Sequence, residues 1–262
     1  MMRVLGFLIA TAWMAVLLPD PIADARDIKV PILVELFTSE GCSSCPPADA
    51  WLQQLDVSQP IAGAQVIVLS EHVDYWDHDG WKDPYSSSAF TDRQNGYVRN
   101  LRLTTPYTPQ VIVDGQSELP LNDPKQASEI FLKAEKTAPV PVSISSTHVE
   151  ANTPAILRAH IEADGSTEKR SSDIYAALAL DHAESQVLHG ENGGRRLTHV
   201  AVVEQITKVG KLEKGKIFSQ NIQNNLKPGM DAKNLRLIVF VQQPDLGTVR
   251  GVALREIAQP NK

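Results

Sequence analysis

Residues 35–49 read ELFTSEGCSSCPPAD, and the reading of this stretch decides what the rest of the chain is expected to build. It opens inside an apolar, β-branched run, VPILVELF at 30–37, which has the composition of a buried strand. It closes on two prolines, after which Ala48, Trp51, Leu52 and Leu55 recur at helical spacing. Consecutive prolines are accepted only in a helix's first turn, so the spacing predicts a helix from about Ser43 that ends before Pro60. Between strand and helix stand Cys42 and Cys45, the two cysteines of a 262-residue chain. Random placement would put two cysteines three apart about once in a hundred, so the spacing itself is informative. At a helix start, residues three apart are neighbours, and free N–H groups with the macrodipole favour a thiolate. Cys42, on the loop side, is expected to be the exposed nucleophile and Cys45 the resolving thiol.

Two further elements gather around the pair. Glu35 is a carboxylate within an apolar strand, where burial raises a pKa. Two readings stand: a proton acceptor for Cys45, or a residue that pairs with a lysine or faces water at the strand end. Thr108-Pro109 lies between a polar loop and the apolar run 110–113. A cis bond there would turn the chain beside the cysteines and leave the Thr108 backbone free to pair with an extended substrate. Tyr107 next to it reads either as exposed near the pair or as loop packing.

Working outward, 64–69 (AQVIVL) reads as a second buried strand. A polar, aromatic-rich connection follows at 70–88, then a helical stretch over 89–101. Asp114-Gly115 signals a hairpin, and Asp123-Pro124 an N-cap with proline at the first helical position. The order β-α-β-α-β-β-α predicts a four-stranded sheet with helices on both faces. Beyond Pro139 and Pro141 helical periodicity vanishes. Apolar runs at 142–149, 155–163, 173–181, 199–206, 216–222, 235–242 and 248–254 predict an antiparallel β-sandwich. The expected organisation is a signal peptide at 1–25, an α/β domain at 26–138 and a β-sandwich-like domain at 139–262. The first segment carries Arg3, an apolar run at 4–18 and the small-x-small site Ala23-Asp24-Ala25, which predicts export to the periplasm or the exterior. The apolar run is shorter than the roughly 20 residues a span needs, so no stable membrane insertion is expected after cleavage.

Together the element order, the CxxC at a helix start and the Thr-Pro before the third strand resemble the thioredoxin superfamily. More closely, ELFTSEGCSSCPPAD (35–49), HVDYWDHDGWKDPYSSSAFTDRQNGYV (72–98), TPQVIVDG (108–115) and GENGGRRLTHVAVV (190–203) resemble the DUF1223 family of exported bacterial proteins. The resemblance implies a thioredoxin-like α/β domain with a C-terminal β-rich extension, a nucleophile at Cys42, a resolving thiol at Cys45 and a cis Thr108–Pro109 bond. Gly41 stands where thioredoxins carry an aromatic, which implies an open rim.

Tyr75, Trp76 and Trp81 read either as a substrate-contacting rim or as packing over the cysteine helix. Copper held by the cysteines and a histidine of the segment 71–83 is a further reading, since thiolates suit Cu(I), but the spacing His72/His78 matches no ligand motif. Glu191, Arg195, Arg196 and His199 read as a hairpin loop with salt bridges, and Arg93 as a partner for loop acids. A net charge of −6 without basic runs argues against nucleic acid. Three functions stand on this sequence. The first is a thiol–disulfide oxidoreductase acting on protein thiols or disulfides without an organic cofactor or a metal. The second is a binding protein stapled by the cysteines, and the third a copper chaperone.

Overall fold

The computed structural model describes residues 29–137, 139–150 and 153–257. The predicted signal peptide lies outside the described residues. Strand β1 (Val30–Thr38) enters the core, where its last seven residues are buried. Helix α1 (Pro46–Ser58) carries the chain over to β2 (Ala64–His72), parallel to β1 in a register that pairs Val30 with Ala64 and Thr38 with His72. Helix α2 (Ser88–Asn100) leads to β3 (Gln110–Val113), antiparallel to β1. Asp114 and Gly115, both at positive φ (48° and 63°), turn β3 into β4 (Ser117–Glu118). That pair of conformations is the one a tight hairpin requires. Asp123 caps α3 (Pro124–Glu135), its carboxylate accepting the Gln126 N–H at 3.0 Å. Then follow β5 (Val142–Glu150), β6 (Ile156–Asp164), β7 (Ser172–Gln186), β8 (Arg196–Leu212), β9 (Ile217–Asn225), β10 (Leu235–Gln242) and β11 (Val249–Glu256).

The expected helix-flanked thioredoxin-like α/β domain followed by a β-sandwich is not what forms. The chain is mostly β, built on one mixed eight-stranded sheet in the order β11-β10-β7-β8-β2-β1-β3-β4, with a three-stranded sheet β5-β6-β9 beside it. The physical reason is the free edge of β2. In the expected four-stranded sheet that edge would be open. Here β8, 17 residues long, runs parallel to it with Ser70 opposite Val202 and fuses the two halves of the chain into one sheet. Unpaired strand edges must be covered or paired, and the nearest apolar run in sequence need not be the one that does it.

Side-chain alternation divides the packing. Val34 and Leu36 of β1 point to the face that receives Ala48, Leu52 and Leu55 of α1 and Phe131 of α3. Burying side chains of this size is worth about 1.5–3 kcal/mol for each of the larger ones. Leu33 points to the opposite face, toward Phe90 of α2 and toward Ala177, Ile238, Phe240 and Val252. The large sheet therefore curls over itself. The Val249 N–H of β11 donates to the Asp114 carbonyl at 2.8 Å, which ties the far edge back to the β3–β4 turn. The other face of β7 and β10 (Ile174, Leu178, Leu237, Val239) packs on Leu157, Ile161 and Ile222 of the small sheet.

Candidate functional site

The cysteines sit in the link between β1 and α1, as the sequence requires, but before the helix rather than in it. Pro46 and Pro47, which lack the N–H that a helix start leaves unpaired, hold the first helical positions, and Cys45 is the N-cap residue. Its carbonyl accepts the N–H groups of Ala48 (2.8 Å) and Asp49 (3.1 Å). The Cys45 N–H donates to the Cys42 carbonyl at 3.2 Å, closing a turn over Ser43 and Ser44. The two cysteines form a disulfide with a Cα–Cα distance of 5.4 Å. Ser44 Oγ lies 3.3 Å from Cys42 Sγ. Ser43 and Ser44 are exposed, yet both cysteines are wholly buried at 0%. The exposed nucleophile expected of Cys42 is thus absent from this closed arrangement.

The segment 187–195, which joins β7 to β8, is hydrogen-bonded across the cysteine loop. Asn192, itself 0% exposed, donates through Nδ2 to the carbonyls of Glu40 (2.8 Å) and Cys42 (2.9 Å). Arg195 Nη1 donates to Asn192 Oδ1 at 2.7 Å, which fixes the direction of the amide. Glu191 Oε2 accepts the Ser43 N–H at 3.0 Å. The hydrogen bonds from Ser43 hold the Glu191 carboxyl below its ordinary pKa. Gly190, at φ 75°, packs on Asp79 and Trp81, where a side chain would meet the Asp79 carbonyl at 3.0 Å. The glycine-rich turn is therefore a cover over the cysteine pair, and Asn192 is the residue that sequence reasoning missed. Its signal was present in the GENGG string; its contact with residues some 150 positions away was not.

Beneath the pair lies a buried polar network. Glu40 accepts from Trp81 Nε1 at 2.8 Å and lies 3.2 Å from His199 Nε2. His199 Nδ1 faces Asp49 Oδ2 at 3.8 Å. Burial opposes charge on His199, but the Asp49 and Glu40 carboxylates raise it to about 9. The His199 and His72 rings meet edge to face, 4.7 Å between centroids. His72 Nδ1 bonds Asp83 Oδ2 at 2.7 Å, and the same oxygen accepts the Glu40 N–H at 2.8 Å. Burial alone would raise Asp83. The charge and hydrogen bond of His72, with the Glu40 and Tyr85 N–H groups, hold it below its ordinary value. Among the described residues no group of three or more His, Cys, Asp or Glu side chains is arranged to hold a metal ion.

The other sequence-selected residues divide into two sets. Thr108–Pro109 is cis, and Trp76 joins it to the cysteine loop. The Trp76 indole N–H donates to Thr108 Oγ1 at 2.8 Å, while its Cβ would stand 3.0 Å from a side chain at Gly41. The rim that Gly41 was expected to leave open is filled by Trp76. Tyr107 is exposed at 46%. Partial burial and Glu118 raise its hydroxyl to about 12. Trp81 turns the other way, toward Glu40. Glu35 goes to the face of β1 opposite α1. There it accepts from Arg93 Nε at 2.6 Å and from the Tyr97 hydroxyl at 2.5 Å, and the structure does not bring it to the cysteines. Arg93 is accordingly the partner of a strand acid, not of loop acids. Glu71 lies 3.5 Å from the same guanidinium, its pKa raised well above normal by burial and by Glu35.

The fold is shared with solved structures. A crystal structure of a protein from Agrobacterium tumefaciens superposes with a TM-score of 0.67 at 24% identity, covering 89% of this chain and 97% of that one. HBP35 of Porphyromonas gingivalis gives a TM-score of 0.64 at 17% identity over 88% of this chain and 77% of that one. No protein of curated function matches. The family described as "Protein of unknown function (DUF1223)" matches residues 33–242, a span that includes the cysteine pair, its cover and the network below, and the chain belongs to that family.

Proposed function

We propose that the chain is an exported thiol–disulfide oxidoreductase that exchanges electrons with protein thiols or disulfides through Cys42 and Cys45. One observation carries the reading. The chain's two cysteines are joined across a two-residue turn at the N-cap of α1, where a released thiolate faces the positive end of a helix. A thiolate of the partner attacks Cys42 Sγ, forming a mixed disulfide and releasing Cys45 as the leaving group. In the reverse direction Cys45 attacks the mixed disulfide. For either step the 187–195 cover must lift. It is held by three hydrogen bonds, two from Asn192 and one to Glu191. Those from Asn192 are worth about 0.5–1.5 kcal/mol each and the one to the Glu191 carboxylate about 1.5–3 kcal/mol net. Lifting it clears one side of the pair. Trp76, Tyr107 and the Thr108 backbone would then receive an extended segment of the partner. A periplasmic or extracellular location suits a stable disulfide.

The burial of both sulfurs favours a second reading, in which the disulfide is a staple in a non-enzymatic binding protein. Cys45→Ser separates the two. With Cys45 removed, Cys42 should accumulate as mixed disulfides when the protein meets an extract of exported proteins, seen as dithiothreitol-sensitive adducts. If no adduct forms, and the wild-type disulfide resists reduction while the protein stays folded, the staple reading replaces the redox one.

A further inference from the structure

Of the buried side-chain oxygens and nitrogens that lack a hydrogen-bond partner among the described residues, five belong to neighbouring residues: Thr38 Oγ1, Ser70 Oγ, His72 Nε2, His199 Nδ1 and Asp49 Oδ1. Thr38 and His72 are register partners at the C-terminal ends of β1 and β2. Ser70 is one alternation back on the face of His72. His72 touches His199, and His199 faces Asp49. Asp49 lies in the first turn of α1, its N–H bonded to the carbonyl of the N-cap residue Cys45, four positions earlier. At 3.8 Å, His199 and Asp49 are ion-paired but too far apart for a direct hydrogen bond. Buried polar groups left unpaired in a native structure call for an explanation by bound water or by chemistry. The chain also has an outlet. A cleft of about 170 Å³, lined by Pro46, Asp49, Gln53, Arg195, Thr198 and His199, opens from it to solvent.

We propose that His199 and Asp49 form the proton relay of the cysteine pair, in the role that the sequence offered to Glu35. The proposal rests on the redox reading above. A reductant thiolate attacks Cys42 Sγ, the Cys42–Cys45 bond breaks, and its electron pair leaves on Cys45 Sγ. The His199 imidazolium gives up its proton through a water bridging the 3.8 Å gap to Asp49, which passes a proton on to Cys45, and His199 is reprotonated from water in the cleft. A second thiolate of the same dithiol then displaces Cys42, so the protein disulfide gains two electrons and the dithiol becomes a disulfide. The groups that face His199 are Asp49 from α1, Glu40 from the cysteine loop, His72 from β2 and Tyr85 from the connection before α2, with Asp83 behind His72. Arg195 and Arg196 from its own segment line the cleft.

The test is the rate of reduction of the full-length oxidised protein by dithiothreitol, expressed per reductant thiolate, from pH 6 to about pH 10.5. The wild-type rate should hold level and then fall with a midpoint near 9, where His199 loses its proton. General-acid assistance is worth about 10²–10⁴-fold, so Asp49→Asn and His199→Gln should each be at least about tenfold slower at pH 7, with no fall near that midpoint. Variants that keep the wild-type rate and profile overturn the relay and leave the redox reading standing. Where a variant does not fold, a wild-type rate that stays level through pH 10.5 overturns it alone. A native disulfide that never reacts with dithiothreitol defeats the redox reading and the relay with it.

Discussion

Arg93 shows how much one buried cation can be asked to hold. It sits between the carboxylates of Glu35 and Glu71, with Tyr97 and Phe240 rings 5.1 and 5.3 Å from its guanidinium carbon. Two acids in an apolar layer repel each other, and burial with the Glu35 charge holds the Glu71 carboxyl well above its ordinary pKa. Replacing Arg93 by Ala strands them, and breaking a buried pair in this way costs about 3–5 kcal/mol. Urea unfolding should show that loss directly. Glu35→Gln keeps an oxygen for Arg93 and removes one charge, so its cost should be smaller. Neither change should alter the rate at which dithiothreitol reduces the cysteine pair. A slowed reduction in Glu35→Gln would return Glu35 to the sulfur chemistry. Periodicity in β1 already contains this result. Leu33, Glu35 and Phe37 alternate with Val34 and Leu36, and α1 packs on the second set.

At the scale of elements, the 187–195 cover is the part that sets access. Asn192→Ala removes two hydrogen bonds to the carbonyls of Glu40 and Cys42 and leaves the fold's apolar layers untouched. At about 1 kcal/mol each, their loss should raise the open population and the reduction rate by roughly ten- to thirtyfold. Kinetics with dithiothreitol at fixed pH measure it. A rate equal to that of wild type would mean that the cover opens by some other contact. Local signals were legible in the sequence because their causes are local. The prolines at 46 and 47, the Asp114-Gly115 turn, the Asp123 cap and the apolar run of β1 each act within a few residues. The pairing of β8 with β2 and the seating of Asn192 on Cys42 were not legible. Their partners lie far along the chain, and an apolar alternation says which face of a strand is buried, not which edge it joins.

The whole molecule closes at Asp114. Its carboxylate accepts the Leu33 N–H of β1 at 2.8 Å, and its carbonyl accepts the Val249 N–H of β11 at 2.8 Å, so one residue joins the two strands where the curled sheet meets itself. Burial raises the Asp114 carboxyl to about 7, against the opposing pull of the Leu33 hydrogen bond. The folded state therefore holds this proton more tightly than the unfolded chain, whose value is near 3.8. Stability from this source is complete below that lower value and is lost as pH rises through about 7. The full difference corresponds to at most about 4 kcal/mol. Glu71 acts in the same direction, and His199, raised to about 9, adds a further loss between its unfolded value of 6.5 and that point. Asp83 opposes them only at the acid end, where its lowered value means that stability falls as it is protonated. The melting temperature should consequently peak in mildly acidic solution and decline from about pH 5 to pH 9. Asp114→Asn keeps an oxygen for the Leu33 N–H and cannot ionise, so it should flatten the decline between about pH 5 and pH 7 while leaving the part due to His199. Thermal melts of the two proteins across that range decide it, and parallel curves would place the ionisation that loosens the closed sheet elsewhere than at Asp114.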